Sequence, residues 1–282
     1  MTTYIFPGQG SQFKGMGKDL FTEFPEFTQN AGDILGYSIE TLCLEDPHQQ
    51  LTQTQYTQPA LYIVNALTYF KKVQEADKRP DFVAGHSLGE YNALLAAGVF
   101  DFETGLRLVK KRGELMSQAS GGAMAAILGL KAEKVKVALE QDSSLNVTIA
   151  NDNTYTQVVL SGLKADVEKA QELFEQEGTA MVIPLNVSGA FHSPYMRPAQ
   201  EQFENFVGAF QFTSSSLPVV ANYTARTYDA NNIAQTLTQQ ITHPVRWRES
   251  ISYILGQGET EFEEVGPGKV LTGLVQRIKN GQ

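Results

Sequence analysis

Short apolar runs alternate with longer amphipathic ones along most of this 282-residue chain. Thr3-Tyr4-Ile5-Phe6 is a β-rich run that stops at Pro7-Gly8, which predicts a buried strand entering a glycine-rich loop. Leu20, Phe21, Phe24, Phe27, Ile34 and Leu35 predict one or two helices between Gly17 and Gly36, punctuated by Pro25. From Ser38 to Pro59 the chain reads as short polar stretches. Leu61, Val64, Leu67 and Phe70 then predict a helix from Ala60 to Gln74, with Thr57-Gln58-Pro59 on its N-terminal side. Pro80 to Gly85 reads as a strand, followed at once by a helix from Leu88 to Ala97 and another from Phe102 to Ala119. This alternation predicts an α/β fold with a mainly parallel sheet covered by helices.

At Gly121-Gly122 the texture changes. A strand from Ala123 to Leu130, a helix from Ala132 to Gln141, strands Val147–Asn151 and Gln157–Ser161 with an Asn151-Asp152-Asn153 turn between them, a helix from Ala165 to Gln176 and a strand from Ala180 to Asn186 spell βαββαβ. That is the split pattern of a ferredoxin-like unit. It predicts a small domain over residues 122–188, inserted into a large α/β domain of residues 1–121 and 189–282. The last part resumes the large-domain texture, with helices near 197–206, 233–241, 247–255 and 269–279 and strands at 218–222 and 261–265.

Composition removes several classes of function. Lys and Arg total 22 against 31 acidic residues, a net charge of −9, which argues against a protein that grips a nucleic-acid backbone. No run of about 18 apolar residues marks a membrane span, and MTTYIFPGQG lacks the basic start of a secretory signal. Four His and one Cys have no zinc-site spacing, so no metal or other cofactor is expected. The lone Cys43 reads as a small buried hydrophobe in a reducing cytoplasm.

Gly85-His86-Ser87-Leu88-Gly89 matches the G-x-S-x-G elbow, with a predicted strand before it and a helix after it. The tight turn would expose the Ser87 hydroxyl at a helix N-terminus, and side chains at either glycine would meet neighbouring backbone. The Leu88 N–H becomes a candidate oxyanion donor. A serine nucleophile needs a base. His86 alternates to the opposite side of the strand end, while His48 and His243 lie in polar segments beside prolines. His192, in Ser188-Gly189-Ala190-Phe191-His192-Ser193, is therefore the candidate base, with a satisfied loop histidine as the plainer reading. No acid is nominated as a third member. The Phe6–Gln12 loop could cradle a phosphate, but without the Lys-Ser/Thr of a P-loop it better suits an oxyanion donor. Arg112, with Leu115 and Met116 three and four residues on, could grip a carboxylate; a solvated basic helix end is the first reading of Lys110-Lys111-Arg112.

Together these blocks resemble the malonyl-CoA:acyl-carrier-protein transacylases, and most closely the discrete trans-acting acyltransferases of polyketide synthases. The resemblance runs through FPGQGSQ at 6–12, TQPAL at 57–61, GHSLGEY at 85–91, AAGVFDFETGLRLVKKRGELM at 96–116, GAMAAILGL at 122–130, GAFHS at 189–193, HPVRW at 243–247 and EVGPGKVLTGL at 264–274. It implies a hydrolase-like core with a ferredoxin-like insertion. It also implies Ser87 as nucleophile, His192 as base and acid, Gln9 and Leu88 as oxyanion-hole donors, and Arg112 as the binder of the malonyl carboxylate. Gln240 falls where a carbonyl oxygen orients the histidine, and Phe191 where the family's malonyl selectivity resides. The implied reaction is ping-pong transfer from malonyl-CoA to the phosphopantetheine thiol of an acyl carrier protein, in the cytoplasm, without metal, membrane or nucleic acid. Service to fatty-acid rather than polyketide synthesis, an editing acyl hydrolase and a non-catalytic carrier-docking module are the competing expectations. Lys110, Lys111, Arg277 and Lys279 are candidates for a basic rim facing the acidic carrier, equally readable as solvated charge.

Overall fold

A computed structural model describes residues 2–75, 79–142, 144–176 and 180–282. In chain order the elements are β1 (Thr2–Phe6), α1 (Lys18–Glu23), α2 (Pro25–Leu35), α3 (Ile39–Leu44), α4 (Thr54–Glu75), β2 (Phe82–Gly85), α5 (Gly89–Ala96) and α6 (Phe102–Ser117). There follow β3 (Gly122–Leu128), α7 (Ala132–Gln141), β4 (Val147–Thr154), β5 (Gln157–Leu163), α8 (Lys164–Gln176) and β6 (Met181–Pro184). The chain continues with α9 (Arg197–Val207), β7 (Val219–Val220), α10 (Ile233–Gln240), α11 (Trp247–Gly256), β8 (Glu261–Glu264) and α12 (Val270–Lys279).

β7, β2, β1 and β8 form a wholly parallel sheet in that order. β1, β2 and β7 are mostly buried on both faces because both are covered, whereas the edge strand β8 carries three glutamates. Tyr4, Phe6 and Val83 enter the main core with α2, α4, α5, α6 and α9, while Ile5, Ala84 and Val220 pack with Trp247, Ile251, Leu271 and Val275 on the other side. β4, β5, β3 and β6 form a second, antiparallel sheet. One of its faces, through Ala125, Ile127, Val158 and Leu160, closes a separate core under α7 and α8. The other, through Met124, Ala126, Ala150 and Val159, rests on the main core.

Three expectations need correction. α4 begins at Thr54 rather than Ala60, with Pro59 inside it. Pro59 takes one N–H out of the ladder early in the helix, where Thr57 Oγ1 also ties back to Leu51 O at 2.7 Å. The stretch expected to be merely polar contains α3, capped by Ser38 accepting from the Thr41 N–H. Asn151-Asp152-Asn153 is not a turn; it lies within β4, which runs on through two register irregularities to Thr154. The side chains explain the extension. Arg248 grips Asp152 through contacts of 2.9–3.2 Å, Asn153 meets His86, and the Asn151 backbone bridges to Val245. Asn-Asp-Asn there serves as a seam between the two sheets.

Among the described residues no helix is long and apolar enough to cross a membrane, and no group of three or more His, Cys, Asp or Glu side chains could hold a metal ion. Cys43 is buried, and burial pushes its thiol up to about 12, which leaves it unreactive at neutral pH.

Candidate active site

The turn between β2 and α5 leaves no room for side chains at its glycines. A Cβ on Gly85 would lie 1.9 Å from the Gly89 carbonyl carbon, and one on Gly89 would lie 2.0 Å from Phe6 O. Ser87 sits at φ +51°, a left-handed conformation that a non-glycine residue holds only when its surroundings enforce it. Asn222 enforces it. Its Oδ1 accepts the Ser87 N–H at 2.7 Å and its Nδ2 donates to Gly85 O at 2.7 Å, so one amide spans the turn. His86 departs to the seam, with Nε2 2.8 Å from Asn153 Oδ1 and its ring edge-on to Trp247.

His192 lies in the loop after β6, buried and also left-handed at φ +55°. Its Nε2 is 2.8 Å from Ser87 Oγ, and its Nδ1 is 2.8 Å from the main-chain oxygen of Gln240 at the end of α10. A carbonyl only accepts, so Nδ1 carries the proton and the Nε2 lone pair faces the serine hydroxyl. Burial, and then the charge of Arg112, lower the imidazole pKa to about 3, which keeps the ring neutral. The orienting group that sequence could not supply as an acid is thus a backbone carbonyl.

Arg112 overturns the first reading of its basic triplet, because its side chain is 1% exposed. α6, capped by Asp101 accepting from the Thr104 N–H, turns Leu108, Val109, Arg112, Leu115 and Met116 inward. Nη2 donates to Ser87 Oγ at 3.1 Å and to Gln240 Oε1 at 2.9 Å, and Nη1 to Gln58 Oε1 at 2.6 Å. Nε has no partner among the described residues, and the guanidinium lies 5.7 Å from the centre of the Tyr91 ring. A buried cation with spare donors beside a nucleophilic hydroxyl is fit to receive an anion.

Ser87, His192 and Arg112 open on a cavity of about 100 Å³, whose wall includes Gln9, Leu88, Met116, Met124, Leu185 and Phe191. The main-chain N–H groups of Gln9 and Leu88 have no acceptor among the described residues, whereas that of Ser87 is committed to Asn222. Gly8 lets the Phe6–Gln12 loop approach the elbow, since a Cβ there would be 2.3 Å from His86 O. The structure therefore brings Ser87, His192, Arg112, Gln9, Leu88, Phe191 and Gln240 together. It leaves His48 exposed and ties His243 to Gln239 O. Nor do the basic candidates join the site: Lys110 caps Ile34 O, Arg277 bonds Gln157, and Lys279 lies over Phe262. Sequence reasoning missed Gln58, Asn222, Tyr228 and Glu90, although a lone carboxylate on α5, which is buried all round, was a visible signal.

Residues 3–280 match a family model described as "Acyl transferase domain". The chain is 59% identical over 280 residues to the polyketide biosynthesis malonyl CoA-acyl carrier protein transacylase PksC of Bacillus subtilis (strain 168), covering 99% of this chain and 97% of that one. Among solved structures it is similar to a malonyl CoA-acyl carrier protein transacylase from Burkholderia pseudomallei, with a TM-score of 0.96, 50% identity and coverage of 100% and 99%. It is also similar to the structure of a type II PKS acyl-carrier protein in complex with its malonyl-transacylase, with a TM-score of 0.94, 38% identity and coverage of 99% and 93%.

Proposed function

From the premise that the chain belongs to the acyl transferase domain family, we propose that it moves a malonyl group from malonyl-CoA to the phosphopantetheine thiol of an acyl carrier protein, through a malonyl-serine. The observation that carries this reading is the meeting at one hydroxyl of a neutral imidazole and a buried guanidinium, Ser87 Oγ lying 2.8 Å from His192 Nε2 and 3.1 Å from Arg112 Nη2.

Ser87 Oγ gives its proton to His192 Nε2 as it attacks the thioester carbonyl carbon. The oxyanion turns to the free N–H groups of Gln9 and Leu88. The C–S bond then breaks, and His192 passes its proton to the CoA sulfur. In the second half the carrier's thiol gives its proton to His192, its sulfur attacks the malonyl-serine carbonyl, and Ser87 leaves with the proton returned. The malonyl carboxylate takes over the Nη2 donor that rests on Ser87 Oγ. Because the Arg112 charge helps hold His192 low, a carboxylate that offsets it makes the base stronger when the charged substrate arrives. The reaction so written calls on no metal or prosthetic group.

Phe191 in the cavity wall supports malonyl over α-branched acyl groups, a preference of about 1–3 kcal/mol for one methyl. Service to a polyketide rather than a fatty-acid carrier is supported by the 59% identity to PksC. The buried Arg112 argues against an editing hydrolase of uncharged acyl groups, which would offer it no carboxylate to hold. The finer fold reading is a hydrolase-like core of residues 1–121 and 189–282 with a ferredoxin-like domain at 122–188. The strand order of the second sheet, β4-β5-β3-β6, supports it. Both acyl donor and carrier would be met in the cytoplasm.

Intact-protein mass after brief mixing with malonyl-CoA tests the proposal. The expected result is a malonyl adduct that is absent in Ser87→Ala and discharged by a carrier protein. Steady CoA release with no lasting adduct would make the protein a hydrolase.

A further inference from the structure

The polar groups of the site converge on a carboxylate that the reaction above does not use. Glu90, on α5 and three residues beyond Ser87, is completely buried. Its Oε1 accepts the Tyr228 hydroxyl, and its Oε2 accepts the Asn222 main-chain N–H at 2.9 Å and one Gln240 Nε2 hydrogen at 2.9 Å. The other Nε2 hydrogen goes to Ser87 O at 2.9 Å. With both amide hydrogens committed, Gln240 Oε1 can only face Arg112, while its main-chain oxygen holds His192. Asn222 in turn spans the elbow. Ser87, His192 and Arg112 are each one residue removed from the same carboxylate. Two of its three partners, the Asn222 main-chain N–H and Gln240 Nε2, can only donate, so Oε2 must stay an acceptor. A hydrogen at Oε1, in a protonated acid or an amide, turns the Tyr228 hydroxyl into an acceptor and leaves the other two bonds without the charge that strengthens them.

We propose that Glu90 is a positioning residue whose ionised carboxylate anchors Asn222 and Gln240 and so aligns the nucleophile, the base and the carboxylate-binding arginine. The inference rests on the proposed acyl transfer only for the reaction it serves. The titratable and charged groups facing Glu90 are Tyr228 from the segment after β7, Tyr91 from α5 itself and Arg112 from α6. Burial holds both phenols protonated well beyond neutral pH, and Arg112 remains a cation. Burial also pushes the Glu90 carboxyl up to about 7, against the pull of its donors, whereas His192 sits near 3. Near neutral pH, Glu90 is then the group in this cluster that changes charge, and its ionised form is the competent one.

The test follows Ser87 directly, by its rate of sulfonylation by phenylmethylsulfonyl fluoride with loss of fluoride, alongside malonyl loading read by intact mass. Both are measured from about pH 5.5 to 9 for the unchanged protein, Glu90→Gln and Tyr228→Phe. In the unchanged protein both rates should rise with pH through an inflection near 7. Glu90→Gln should be slower by about tenfold at the plateau and lack the inflection. Tyr228→Phe removes one donor from the carboxylate and should move the inflection to higher pH. Loss of packing alone would change neither profile. An inflection that survives Glu90→Gln overturns the proposal, as does an unmoved one in Tyr228→Phe should Glu90→Gln fail to fold. Sulfonylation with the expected profile but no malonyl uptake would overturn the functional reading and leave the role of Glu90 standing.

Discussion

The two sheets contribute differently to one cavity. Elements around the parallel sheet supply Ser87, Arg112 and Gln240, and the loop that returns to them after β6 brings His192, the groups proposed to move protons and hold charge. The antiparallel sheet and the segment that follows it supply mainly wall, through Met124, Leu185 and Val187. Their construction differs in the same sense. Around the elbow, backbone lies so close to backbone that glycine is obligatory, and buried amides have their hydrogens assigned. At the far edge of the second sheet, β6 leaves Met181 and Ile183 exposed. Reactive geometry is thus entrusted to the part of the molecule least able to adjust, and the shape of the cavity mouth to the part with room to vary.

Substitution can break this contrast. The largest effect belongs to Gly89→Ala, whose new Cβ would meet Phe6 O; a loss of about 4 kcal/mol or more is expected in urea unfolding, or no folded protein at all. Arg112→Ala should keep the fold but cut the preference for malonyl-CoA over acetyl-CoA by about 100-fold, since a charge-assisted pair is lost, as read from competing adducts by mass. The smallest effect is expected from Arg248→Ala, which removes a half-buried clamp on Asp152 from the seam. It should cost about 1–2 kcal/mol in thermal unfolding and change malonyl loading less than about twofold. A loading defect in Arg248→Ala as large as that in Arg112→Ala would mean that the second sheet sets the reactive geometry as well.

What the sequence made legible follows the same division. The elbow showed itself because steric exclusion writes glycine at fixed spacing around a serine, and the strands and helices because burial writes period two or 3.6. His192 emerged because so few histidines compete with it. The burial of Arg112 was hidden, since a basic triplet at a helix end looks solvated until Gln58 and Gln240 are seen to receive it. Asn222 and Gln240 were illegible as a bracket for Ser87, because each lies more than a hundred residues away and an amide carries no motif. Asn151-Asp152-Asn153 misled for a related reason. Its composition is that of a turn, but its partners, Val245, Arg248 and His86, are all distant in sequence.

The left-handed backbone at Ser87 and His192 has a practical side for anyone wishing to toughen the protein. Each holds a backbone conformation that costs on the order of 1–3 kcal/mol. Glycine at Ser87 would release part of it, whereas at His192 the lost packing and hydrogen bonds of the buried ring outweigh the gain. A screen that rewards heat resistance alone would therefore be drawn toward Ser87, where the gain is bought with the proposed nucleophile. Selection for robustness in this molecule has to be coupled to turnover at every round, or directed to the exposed face of β6, where nothing of the kind is at stake.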